Sequence, residues 1–65
     1  MTAQEAFIER ECRAVRTVLQ RIPGLNVTPE MIASWCAVCV ADDDAVLQAN
    51  IYEDALPIAR TLEGL

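Results

Sequence analysis

The sequence predicts an all-α fold: a small bundle of three to four short helices, completed by dimerisation. Three observations carry this. Apolar residues recur at spacings of three and four along most of the chain, and no strand-like alternation is present. Residues 31–41 read M-I-A-S-W-C-A-V-C-V-A, with Ser34 the only clearly polar side chain. A helix that is apolar almost all round must be wrapped by other helices. Finally, the chain has only 65 residues, of which 54% are hydrophobic. A chain of that size buries about 60% of its unfolded surface and is marginal alone. The composition therefore asks for more burial than one small core can offer, and oligomerisation is a common remedy. The whole chain, residues 1–65, is expected to form one domain, with no linker and no internal repeat.

The first helix is expected over about 3–22. Thr2 and Glu5 form T-x-x-E, the capping-box pattern, just ahead of the apolar periodicity. Ile8, Cys12, Val15, Leu19 and Ile22 then follow 4-3-4-3 spacing, a heptad-like seam that Phe7, Ala14 and Val18 widen to one side. Glu9 and Arg13 stand at i,i+4 in the favourable order. Pro23 disfavours helical geometry at Ile22, and Gly24 tolerates a turn. The second helix, 29–41, starts at Thr28-Pro29, a good N-cap followed by a proline suited to the first helical position. Val27 and Ile32 are placed for a hydrophobic staple. Asp42, Asp43 and Asp44 disfavour a helix C-terminus and suit an N-terminus, so they read as a turn that caps a third helix near residue 44. Its apolar stripe is Leu47, Ile51, Ala55, Ile58, Leu62 and Leu65. Pro57 lies inside that stripe and removes the bond to Glu53. The expectation is a kink or a break, with helices over 44–54 and 55–63 and Asp54 capping the second. Gly64 is the expected terminator.

Charge narrows the function. The net charge is −5 and unevenly placed: the segment 1–23 carries Arg10, Arg13, Arg16 and Arg21 against three glutamates, whereas 24–65 carries seven acids and only Arg60. Nucleic-acid binding needs a basic face. The arginines of helix 1 are interleaved with glutamates, so nucleic acid is not an expected partner. Nor is a membrane: the apolar run is shorter than the about 20 residues a span needs. The acidic second half could meet a basic protein surface, steered by long-range attraction. No basic region followed by an apolar core and a cleavage site opens the chain, which points away from secretion. Three cysteines leave an odd thiol if any pair forms, which suggests a reducing compartment and a cytoplasmic protein.

The sharpest chemical motif is Trp35-Cys36-Ala37-Val38-Cys39. W-C-x-x-C resembles the active-site motif of thioredoxin-like oxidoreductases, which places its thiolate at a helix N-terminus. Here Cys36 falls about two turns inside a helix, beyond the reach of the dipole, and no βαβ pattern surrounds it. Both cysteines are expected to pack in the core. A structural zinc site commonly uses two C-x-x-C units or paired histidines, and this chain has one such unit and no histidine. No metal and no cofactor is expected. Catalysis is poorly supplied too. There is no His or Lys, Ser34 is the only serine, and no glycine-rich loop can cradle a phosphate. An enzyme is not expected.

Ile22-Pro23-Gly24-Leu25, then Glu30-Met31-Ile32, then Asp42-Asp43-Asp44-Ala45 resembles the layout of CUE domains, small ubiquitin-binding three-helix modules. The resemblance covers about half the chain. It implies a contact through the Ile22-Pro23 turn, where the family carries Phe-Pro, and through Asn50-Ile51, where the family carries a di-leucine. The first helix is longer than that family's.

Taken residue by residue, the chain reads as an acidic helical protein-binding module, an adaptor or inhibitor of the kind bacteria and phages encode, working as a homodimer. The alternatives are a CUE-like binding module and, from another class, a thiol- or zinc-dependent protein using Cys36 and Cys39. The candidate partner surface is Asp42, Asp43, Asp44, Glu53, Asp54 and Trp35. The candidate dimer interface is Ile8, Val15, Leu19 and Ile22.

Overall fold

The computed structural model describes residues 2–64 and contains three helices: α1 (Ala3–Gln20), α2 (Pro29–Ala41) and α3 (Ala45–Glu63). No strand is present among the described residues. Each helix begins where local chemistry dictates. The Thr2 hydroxyl accepts from the Glu5 N–H at 3.1 Å, and the Glu5 carboxylate accepts from the Thr2 N–H at 3.2 Å, a complete capping box. Thr28 accepts from the Met31 N–H at 3.3 Å ahead of Pro29. Asp44 accepts from the Leu47 N–H at 3.0 Å. Between α1 and α2, Gly24 adopts φ +78°, a conformation that costs glycine little.

The hydrogen bond from Thr2 holds the Glu5 carboxyl below its ordinary pKa. A carboxylate that titrates lower when folded contributes stability above its unfolded pKa of about 4.3 and loses it as pH falls through the folded value. Acidification below that range is therefore expected to fray the first turn of α1 before the rest unfolds. Faster amide exchange at Glu5 and Ala6 would report it, and Glu5→Gln should remove that pH dependence.

The expected break in the last helix does not occur. α3 runs unbroken through Pro57, so the bundle has three helices and not four. The reason lies in where the proline faces. Asn50, Glu53, Asp54, Pro57 and Thr61 share the exposed side, so the Glu53 carbonyl deprived of its partner lies on the solvent-facing side, where water can satisfy it. Ile51, Ala55, Ala59 and Leu62 are buried on the opposite side, on both sides of the proline in sequence. That packing holds the two halves in one line. Ala59 joins the expected stripe, Leu47 is exposed, and Leu65 lies outside the described residues.

One core cluster joins the helices: Ile8, Cys12 and Leu19 from α1, Ile32, Ala33, Cys36 and Ala37 from α2, and Ile51, Ala55, Ala59 and Leu62 from α3. The pairing of α2 with α3 is the most extensive. The ends of α1 and α3 are tied by Arg16 and Glu63, 2.7 Å apart and both only partly exposed. The molecule measures 31 × 27 × 14 Å over its Cα atoms.

Candidate functional site

The reversal at Pro23-Gly24 brings α2 back beside α1, and the two helices expose adjoining apolar stripes. On α1 the 4-3-4 seam turns inward, while its widening stays outside: Phe7, Ala14 and Val18 are exposed, Val18 at 60%. On α2, Ile32, Ala33, Cys36 and Ala37 turn inward, whereas Trp35 (52% exposed), Val38 and Cys39 do not. The all-round apolar helix is thus covered on one side only. Between the stripes runs a groove of about 370 Å³ lined by Ala14, Val15, Val18, Leu19, Ile22, Trp35 and Cys39, with Glu11 its one charged lining residue.

The expected dimer residues divide accordingly. Ile8 and Leu19 belong to the core of the single chain. Val15 packs against that core from a half-buried position, and Ile22, beyond the end of α1, is exposed. The uncovered apolar surface is therefore rotated about α1 from the expected seam toward Ala14, Val18 and Ile22. Sequence reasoning noted the widening residues but ranked the seam above them.

The acidic residues do not form one patch. Asp42, Asp43 and Asp44 are exposed in the turn between α2 and α3. Asp42 has φ +54° and ψ -118°, a sparsely populated conformation that costs a non-glycine residue about 1–3 kcal/mol. Its N–H donates to the Val38 carbonyl at 2.9 Å, and its own carbonyl accepts from the Gln48 side-chain amide. Glu53 and Asp54 lie more than two turns further along α3. There they line a separate, more polar depression of about 540 Å³ with Thr2, Gln4, Glu5 and Thr61, and Gln4 donates to Asp54 at 3.2 Å. Trp35 lies on α2, apart from both the aspartate triplet and the Glu53-Asp54 pair. The first group begins just beyond the C-terminal end of that helix, where Asp42 is the C-cap.

The cysteines separate as well. Cys36 is fully buried beside Cys12, while Cys39 is exposed. The expectation that both residues of W-C-x-x-C pack in the core holds for Cys36 alone. The Cys12 thiol beside it and its burial push the Cys36 thiol upward in pKa, the reverse of what a reactive thiolate requires. Cys36 and Cys39 do not converge on one site. Among the described residues, no three Cys, Asp or Glu side chains gather where they could hold a metal ion.

In the stretch with the CUE-like layout, Ile22 is exposed and Asn50 is exposed, but Ile51 is buried in the core. Only part of the implied contact surface is therefore presented. No helix of the described residues is long and apolar enough to cross a membrane. No protein-family model matches the chain, and neither the comparison with curated proteins nor that with solved structures finds a match.

Proposed function

We propose that this chain is a non-enzymatic protein-binding module of the cytoplasm, an adaptor or inhibitor that works as a homodimer. The observation that carries the reading is the arrangement of one surface. An apolar centre of Val18, Ile22, Trp35 and Val38 is bounded by charge, with Glu11 in the groove and Asp42 capping the C-terminal end of α2. Apolar centre and charged rim are the usual anatomy of a protein–protein interface. Asp43 and Asp44 continue the rim outward, placed to steer a basic partner surface. Trp35 is the residue type most often found to dominate such contacts.

The test is capture of binding proteins from extract of the native host on the immobilised chain, with identification by mass spectrometry, followed by association kinetics with the captured protein. The triple change Asp42→Asn, Asp43→Asn, Asp44→Asn is expected to slow association several-fold at low salt and little at high salt. Rim charges act on encounter, and exposed charges are screened beyond about 8 Å at physiological ionic strength. An unchanged on-rate at both salt concentrations would remove the acidic turn from the partner surface.

A further inference from the structure

We propose that the α1–α2 groove seats an amphipathic helix of the partner protein, about three turns long, that brings an arginine or lysine onto Glu11. This rests on the protein-binding reading above and specifies what the partner presents to the apolar face. Two observations select the occupant. The first is the polarity of the walls. Apart from Glu11, the lining side chains offer hydrogen bonds only through the Trp35 indole N–H and the Cys39 thiol. An extended segment laid there would lose water from its backbone N–H and C=O groups and find no partners for them. A helix satisfies those groups within itself and meets the walls with side chains alone. The length also fits, because the α1 wall from Glu11 to Ile22 runs roughly 16 Å, about three helical turns. The second observation is Glu11 itself. Of the three glutamates on α1, Glu5 is held in the capping box and Glu9 stands 3.7 Å from Arg13. Glu11 is half-buried and makes no ion pair among the described residues. Arg10, its neighbour in sequence, projects about 100° away round the helix and lies over the Phe7 ring at 5.8 Å. Whatever covers the groove takes the Glu11 carboxylate out of water, which is unfavourable unless the cover supplies a cation. A second copy presenting the same face brings another Glu11 and no cation from its lining. Because the chain reverses between the two helices, Glu11 lies toward the end of the groove where α2 finishes at Asp42, and Arg21 stands at the other end. The partner helix is therefore oriented with its basic residue at the Asp42 end.

The test is selection from a randomised display library of peptides about 16 residues long, enough for about four turns, on the immobilised full chain. Selected peptides are expected to carry apolar residues at spacings of three and four with a basic residue at a fixed offset, and to gain helical circular dichroism on binding. Titrated as synthetic peptides by fluorescence anisotropy, they should bind Trp35→Ala about thirtyfold more weakly and Glu11→Gln about tenfold more weakly. Val46→Glu, at a site 73% exposed near the start of α3, should bind them as the wild type does. Glu11→Lys should bind them more weakly still, and exchanging the peptide's basic residue for glutamate should restore its affinity for that variant. Far-UV circular dichroism verifies that each variant is folded, and Val18→Glu replaces Trp35→Ala should the latter lose helix content. Peptides that bind in extended form, that lack the basic residue, or that bind Trp35→Ala and Glu11→Gln as the wild type overturn the proposal. So does a wild-type dimer that Val18→Glu dissociates without unfolding, because a second copy then holds the groove. A captured host protein that binds the folded Glu11 and Trp35 variants unchanged overturns the helix and leaves the protein-binding reading standing. Capture of nothing from host extract by the wild type removes that reading and the proposal with it, however the peptides behave.

Discussion

Leu19→Asp is expected to unfold the chain outright. Leu19 is 6% exposed and lies in the cluster that joins all three helices. Deleting a buried leucine side chain costs about 2–5 kcal/mol, and an unpaired carboxylate in its place adds several more. A 65-residue domain holds roughly 3–10 kcal/mol in total, so no reserve remains. Leu19→Met, which conserves volume, should cost less than about 1.5 kcal/mol. Far-UV circular dichroism in water and in urea distinguishes the outcomes. A cooperative transition with native helicity for Leu19→Asp would mean that α1 is not docked through this side. Val18→Glu, at the adjacent but 60% exposed position, should by contrast leave the fold intact.

The second large effect concerns alanines. Ala33 and Ala37 on α2 and Ala55 and Ala59 on α3 are all buried at 4% exposure or less, in the cluster that contains the most extensive helix pairing. Side chains this small allow the two backbones to approach closely. Ala55→Leu or Ala59→Leu should force α2 and α3 apart and cost about 1–3 kcal/mol, with the upper end expected where the fit is tight. Ala49→Leu, on the exposed side of the same helix, should be nearly neutral. The urea midpoint at constant slope measures the difference. Equal midpoints for the three variants would show that the interhelical space tolerates leucine.

Much of the fold is legible in the chain because its ends are chemical. Thr2-x-x-Glu5, Thr28-Pro29 and Asp44 each start a helix by satisfying otherwise unpaired backbone N–H groups, and such signals are local. The proline in α3 is a local signal that tertiary packing overrides. Read alone, Pro57 argues for an interruption. What cancels it is the burial of Ile51, Ala55, Ala59 and Leu62 by α1 and α2, which no window of sequence contains. The surface was less legible for the same reason. Periodicity shows that α1 has an apolar arc but not which part of the arc α2 and α3 will occupy, so Leu19 and Val18 look alike until the helices are packed. The apolar run of α2 has no periodicity to read, and its division into an inward Cys36 and an outward Cys39 follows only from the position of α1. Arg16 and Glu63 are 47 residues apart, and their pairing has no local signature.

The burial of two of the three thiols sets the terms on which this chain can recover from heating. While the helices remain packed, Cys12 and Cys36 are shielded from any oxidant, and only Cys39 meets the solvent. Once the chain opens, all three are released together and free to pair in any combination. An odd number guarantees that intramolecular pairing leaves one thiol over for a neighbouring molecule. In air the denatured chain is thus drawn into a covalent trap from which the helices cannot reassemble, and loss of structure becomes a rate instead of an equilibrium. A reductant keeps the transition reversible without touching the native state, so the same sequence behaves as a robust refolder in a reducing medium and as a single-use structure in an oxidising one.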